Sequence, residues 1–181
     1  MHKKGGLNLI LSNHTFYAAY DESNHGRFPQ IDVLTMSGLK KYVQKGTFPK
    51  QRKKKPCLRT GINNDYSFLL SSEADYKRIP KKEILGLTIA SLISDHICLE
   101  KLDSLKLFID GEHLISKRNY IKDLFVEIFS IPRNKIIINS GANFDRKYLL
   151  VNWADSLAHY FFRKCTPEQL SRNPKRKDFI R

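Results

Sequence analysis

Two carboxylates stand side by side where an apolar run ends. Thr15, Phe16, Tyr17, Ala18, Ala19 and Tyr20 lead into Asp21 and Glu22, and the run breaks at Ser23-Asn24-His25-Gly26. The pattern returns at Leu105-Lys106-Leu107-Phe108-Ile109-Asp110-Gly111-Glu112. A third acid, Asp155, stands in Asn152-Trp153-Ala154-Asp155-Ser156-Leu157-Ala158-His159. Carboxylates drawn from separate segments suit a hard divalent cation. Mg²⁺ keeps several of its waters and needs a few oxygen ligands rather than a cage. Two such ions about 4 Å apart can activate a water and stabilise the leaving oxygen of a phosphodiester. That chemistry requires Asp21, Asp110 and Asp155 to meet in space, since an acid at the end of an apolar run otherwise only opens a polar turn. His159, one helical turn beyond Asp155, could shuttle a proton or order a water. It could equally be a surface hydrogen-bond partner of that acid. His25 and His113 follow the two acid-tipped runs and are read the same way.

The elements that must position these groups are legible in outline. The run over residues 15–21 lacks a period-2 alternation, which marks a strand covered on both faces. Gly26 and Pro29 mark a turn, and residues 31–37 form a second strand, so an antiparallel hairpin is expected. A third strand covers residues 65–70. Pro80 suits the first turn of a helix carrying Ile84, Leu85, Leu87, Ile89, Leu92 and Ile93. After the strand over residues 105–112, Ser116 can cap a helix whose Ile121, Leu124, Phe125 and Ile128 recur at helical spacing, and Pro132 stops it. Ile136-Ile137-Ile138 is a β-branched strand, and residues 149–164 form the last helix. On that helix Asn152, Asp155, Ser156, His159 and Arg163 make one polar stripe, which is either a solvated face or a site. Ala154 and Ala158, four apart, would let the helix approach a sheet closely. The order β-β-β-α-β-α-β-α predicts an α/β fold, with three antiparallel strands followed by right-handed crossovers and helices on both faces.

Composition narrows the partners. The chain of 181 residues carries a formal charge of +14, a surface that attracts polyanions, nucleic acid before an anionic membrane. With 41% hydrophobic residues it can bury a core. The expected division is an N-terminal arm or short strand over residues 1–14, a domain over 15–164 with a basic, poorly structured insertion at about 38–63, and a basic C-terminal tail over 165–181, frayed over 172–181. No run approaches the roughly 20 apolar residues of a membrane span, and the basic start is too short and interrupted for a signal peptide. Cys57, Cys98 and Cys165 are widely spaced and odd in number, which suggests neither a disulfide framework nor a zinc site and favours a reducing cytoplasm. In the insertion, Lys50, Arg52, Lys53, Lys54, Lys55 and Arg59 could grip phosphates, while Tyr42 and Phe48 could stack on bases. The alternative for that segment is a solvated loop. The oligomeric state is not legible.

These motifs resemble the ribonuclease H-like superfamily over about residues 15–164. Tyr20-Asp21-Glu22-Ser23 resembles the first catalytic strand of type 2 ribonuclease H. It also resembles an uncharacterised domain family that opens on an Asp-Glu-Ser-Gly strand and closes with an Ala-Asp-x-x-Ala helix, as Ala154-Asp155-Ser156-Leu157-Ala158 does. Ile109-Asp110-Gly111 resembles the Ile-Asp-Gly of the fourth strand of type 2 ribonuclease H. The resemblance implies a mixed five-stranded sheet and Mg²⁺- or Mn²⁺-dependent hydrolysis of RNA, DNA or a hybrid. It carries over Asp21, Asp110 and Asp155 as metal ligands, with Glu22, Glu112 and His159 as further catalytic candidates and Glu83 as a candidate from the first helix. Asn24-His25-Gly26-Arg27 departs from the Gly-rich turn of type 2 ribonuclease H. Two other readings stand beside it. One is a non-catalytic nucleic-acid-binding module of the same fold. The other is a PIN-like nuclease, whose opening strand Phe108 to Leu114 resembles, although here it follows more than 100 residues. A sugar-kinase or actin-like ATPase is disfavoured by the lack of a Gly-rich phosphate loop.

Overall fold

In the computed structural model, which describes residues 15–23, 28–50, 64–96, 102–113 and 115–180, the first apolar run becomes β1 (Thr15–Ser23). β2 (Gln30–Ser37) pairs with it antiparallel, Tyr17 opposite Ser37 and Glu22 opposite Asp32. β3 (Asn64–Ser71) adds antiparallel to β2. Two helices follow, α1 (Glu73–Arg78) and α2 (Ile84–Ile93). β4 (Ser104–Asp110) then returns parallel to the other edge of β1, with Tyr20 opposite Ile109. α3 (Ile115–Phe129) leads to β5 (Ile136–Gly141), parallel to β4. The chain closes with α4 (Phe144–Lys147), α5 (Leu149–Lys164), α6 (Pro167–Ser171) and β6 (Arg176–Lys177). The strand order is β5-β4-β1-β2-β3-β6.

β1 therefore lies inside the sheet, flanked by β4 and β2, and both of its faces are covered. Phe16, Ala18 and Tyr20 pack in the larger core with Ile89, Leu92 and Ile93 of α2 and Phe125 of α3. Tyr17 and Ala19 pack on the opposite face with Leu150 and Val151 of α5. This double burial is why the run shows no polar alternation. Ala154 and Ala158 are fully buried on α5, where small side chains let the helix lie close to β1 and β2.

Four expectations are corrected. The sheet has six strands rather than five, because the C-terminal segment adds β6 parallel to Phe68 and Leu69 of β3. That segment is fastened rather than frayed: its lysines find acids that the rest of the fold presents. Lys175 Nζ lies 2.6 Å from Asp65 Oδ2, Lys177 pairs with Asp95, and Ile180 N–H donates to Ser91 Oγ at 2.9 Å. Ser116 lies inside the first turn of α3, which begins at Ile115, so it is not the cap. The first part of the basic insertion is built onto the fold. After a 3₁₀ turn over Lys40–Val43, Gly46 N–H donates to Lys147 O at 2.9 Å and Phe48 N–H to Arg146 O at 3.0 Å. Tyr42 packs on Trp153, ring centroids 4.9 Å apart, so its ring serves the packing rather than a base. Among the described residues, no helix is long and apolar enough to cross a membrane.

Candidate active site

Strand parity decides which acids can meet. Successive side chains on a strand point to opposite faces. Asp21 follows Tyr17 and Ala19 onto the α5 face, and Asp110 follows Phe108 onto that same face. The paired register of β1 and β4 ends at Tyr20 opposite Ile109, so Asp21 and Asp110 come next on adjacent parallel strands, about 5 Å apart along the sheet. Asp155 comes from α5, which covers that face, and is only 7% exposed. The polar stripe of α5 is thus not a solvated face: Asn152, Asp155 and Ser156 are buried, and only Arg163 at its end is exposed.

Asp155 and Asp110 load Asp21 with charge. The Asp21 carboxyl is pushed well above the usual range, first by burial, then by the charges of Asp155, Asp110 and Glu22; the Glu22 N–H, donating to Asp21 Oδ1 at 2.8 Å, pulls the other way. Asp110 Oδ1 accepts the Phe144 N–H at 2.7 Å. Gly141 permits this approach, since a Cβ there would fall 2.5 Å from the Phe144 ring. Asp155 Oδ1 lies 3.5 Å from His159 Nε2, while its buried Oδ2 has no hydrogen-bond partner among the described residues.

The donor chemistry suits Mg²⁺ or Mn²⁺. All three candidate donors are oxygen, they come from three elements, and the crowding of charge at Asp21 and the Asp155 Oδ2 without a partner among the described residues are what a cation would relieve. The coordination is not preset. Among the described residues, no three acids, histidines or cysteines are close enough as they stand to hold a metal ion. The fit is one of chemistry and unmet charge, and side-chain closure would have to complete it.

Glu22 turns to the other face of β1 and enters a cleft of about 630 Å³ that Asp21 and Asp110 also line. Its Oε2 accepts from Gln30 Nε2 at 2.9 Å and lies 3.0 Å from Tyr20 Oη, whose one proton goes to the nearer Asp32 Oδ1 at 2.6 Å. Lys81, Lys117 and His113 form other walls of this cleft. Burial, then Lys117, hold the His113 imidazole below its usual range against the pull of Glu22 and Asp110. Glu112 lies past the turn at Gly111 and is exposed, outside the cleft lining. Glu83 caps no site residue: it interacts with Tyr120 of α3. Lys50 is ion-paired with the buried Asp145, Nζ to Oδ2 at 2.7 Å, so its charge is already engaged. Arg52, Lys53, Lys54, Lys55, Arg59 and His25 lie outside the described residues.

Sequence reading missed a second carboxylate centre behind Glu22. Asp32 is completely buried and accepts from Tyr20 Oη at 2.6 Å, Gln30 Nε2 at 2.8 Å and Ser71 Oγ at 2.5 Å. The available signal was an acid set within Ile31-Asp32-Val33-Leu34, since an acid in an apolar strand must find donors. Lys81 and Lys117 were also missed; nothing local distinguishes them from other surface lysines.

No protein-family model matches the chain, and no curated protein does. Solved structures do. The chain is similar to Bst-RNase HIII in complex with Mn²⁺, with a TM-score of 0.51 at 16% identity over 95% of this chain and 58% of that one. A mutant of Bst-RNase HIII gives 0.49 at 15% identity, over 93% and 57%. RNase HII from Archaeoglobus fulgidus, in its complex with PCNA, gives 0.48 at 15% identity, over 88% and 84%. The chain thus spans under two thirds of the length of the RNase HIII structures. At this identity the likeness shows the fold, a ribonuclease H-like sheet with its helices.

Proposed function

We propose that this chain is a Mg²⁺- or Mn²⁺-dependent nuclease that hydrolyses phosphodiesters of RNA, DNA or an RNA/DNA hybrid. The observation that carries the reading is the charge conflict at Asp21, whose carboxyl is loaded by burial and by Asp155 and Asp110 from two other elements. Asp21 and Asp110 line the cleft, and Asp155 lies outside its lining on the α5 face; buried carboxylates crowded together cost stability and are kept for function. The Mn²⁺ complex of the RNase HIII neighbour supports the choice of ion. Asp21, Asp110 and Asp155 would hold the cation, which when bound would activate water and stabilise the leaving oxygen. His159 orients Asp155 from one turn away. Glu22, fixed by Gln30, presents a carboxylate to the cleft, where it can accept a proton from water or substrate. His113, kept neutral near pH 7, can donate or accept a hydrogen bond beside it. Glu112 takes no part in this arrangement.

A second reading, a nucleic-acid-binding module without catalysis, is favoured by one observation: no preset three-ligand group exists among the described residues. Cleavage assays on single-stranded RNA, DNA and hybrid, with Mg²⁺ or Mn²⁺ and with chelator, separate the two. The nuclease reading expects ion-dependent cleavage, and loss of about 10²–10⁴ in rate for Asp21→Asn, since a catalytic ion supplies several kcal/mol. Intact substrates throughout, or an Asp21→Asn protein as active as wild type, would leave the binding module.

A further inference from the structure

The cleft holds charges of both signs that do not neutralise one another. Asp21, Glu22 and Asp110 line it, as do Lys81 and Lys117 from two other segments. Neither lysine forms an ion pair with a described residue. A lysine stem is long and flexible, so ammonium groups bordering three carboxylates would collapse onto them if neutralisation were their role. The placement of Lys117 is also unfavourable for its helix. Lys117 stands in the first turn of α3, which contains no acid, whereas Lys81 precedes Glu83, the N-cap residue of α2. The amino end of a helix carries positive partial charge, where a cation costs a few tenths of a kcal/mol or more. The start of α3 and the two lysines therefore all bring positive potential to the cleft. Residues that break a local rule without local gain mark a ligand site, and the ligand such a wall suits is an oxyanion.

We propose that Lys81 and Lys117 form a phosphate-binding wall that takes the backbone of a nucleic-acid strand, across the cleft from the carboxylates of Asp21, Glu22 and Asp110. The inference rests on the reading of the cleft as a phosphodiester site, and it assigns the strand's grip at the site to these two lysines rather than to Lys50, which is paired with Asp145. A strand held by the wall has one phosphate directed at the acids, with its neighbours running out along the starts of α2 and α3. Lys81 is exposed and Lys117 half-buried at the mouth, so both are replaceable without disturbing the core.

Binding measured without catalysis tests this. A labelled single-stranded RNA is titrated by fluorescence anisotropy in chelator over a range of salt concentrations. Each lysine that neutralises a phosphate steepens the plot of log affinity against log salt by about 0.7 for a single strand. Lys81→Ala and Lys117→Ala are each expected to flatten that slope by about 0.7, and the double variant by about 1.4. Lys81→Arg should keep the wild-type slope, and Lys164→Ala, exposed at the far end of α5, should leave it unchanged. Slopes untouched by Lys81→Ala and Lys117→Ala overturn the wall, as does equal flattening by Lys164→Ala or a wild-type protein that binds no RNA. Binding with the expected slopes but no cleavage in Mn²⁺ retains the wall and removes the nuclease; cleavage with unchanged slopes does the reverse.

Discussion

Two buried carboxylate centres sit back to back on the same pair of strands. On the α2 side, Asp32 of β2 accepts three side-chain donors, from Tyr20, Gln30 and Ser71. On the α5 side, Asp21 of β1 receives one backbone N–H, from Glu22, and faces the charges of Asp155 and Asp110. Burial pushes both carboxyls upward; at Asp32 the three donors oppose it, whereas at Asp21 like charges add to it. Burying an acid is therefore not in itself a sign of chemistry. A buried acid with its donors in place is structure, and one left short of donors among other acids is a candidate for function.

The comparison breaks most visibly if the satisfied centre is removed. Asp32→Ala leaves the Tyr20 hydroxyl, the Gln30 amide and the Ser71 hydroxyl without their acceptor in the core. A loss of about 3 kcal/mol is expected, which is roughly 6–12 °C in Tm for a chain of this size. A loss under about 1 kcal/mol would show that Asp32 holds nothing together. The opposite sign is expected across the strand. Asp21→Asn removes a charge that the fold disfavours, so Tm should rise at pH 7 even as activity is lost, by about 2–4 °C if the relief is near 1 kcal/mol. The sign follows from linkage. The folded Asp21 carboxyl lies above its unfolded value, so its penalty is present at pH above the folded pKa, fades as pH falls through it, and is gone below the unfolded value near 3.9. Thermal scans from pH 7 to pH 4 should therefore show the gain shrinking on acidification. A variant that is less stable than wild type at pH 7 contradicts the charge conflict. The smallest effect belongs to Tyr20→Phe, expected to cost about 1 kcal/mol because Gln30 and Ser71 still serve Asp32. A cost as large as that of Asp32→Ala would mean the tyrosine, not the acid, anchors the centre.

What could be read from the amino acids divides along physical lines. β1, β2, β4 and the span of α5 carry continuous apolar runs or a helical repeat, and their signal is local. β6 is two basic residues, and its place comes from long-range partners, Asp65 and Asp95, with no apolar pattern to announce it. The stripe on α5 was legible as a stripe but not as a buried one, because periodicity tells which side chains share a side and not which side is buried. Strand parity, by contrast, was available and decisive: Asp21 and Glu22 are consecutive, so they had to part to opposite faces. The Asp32 centre draws Tyr20, Gln30 and Ser71 from three strands, and only the register of the sheet brings them together. Lys81 and Lys117 are 36 positions apart and meet only around the cleft.

The most direct measurement is a crystal structure of the protein soaked in Mn²⁺, with anomalous scattering collected to place the ion. The expected result is an anomalous peak bound by the carboxylates of Asp21, Asp110 and Asp155, with Asp155 Oδ2 coordinating. No peak between these residues at saturating Mn²⁺, with all three side chains unmoved, would contradict it.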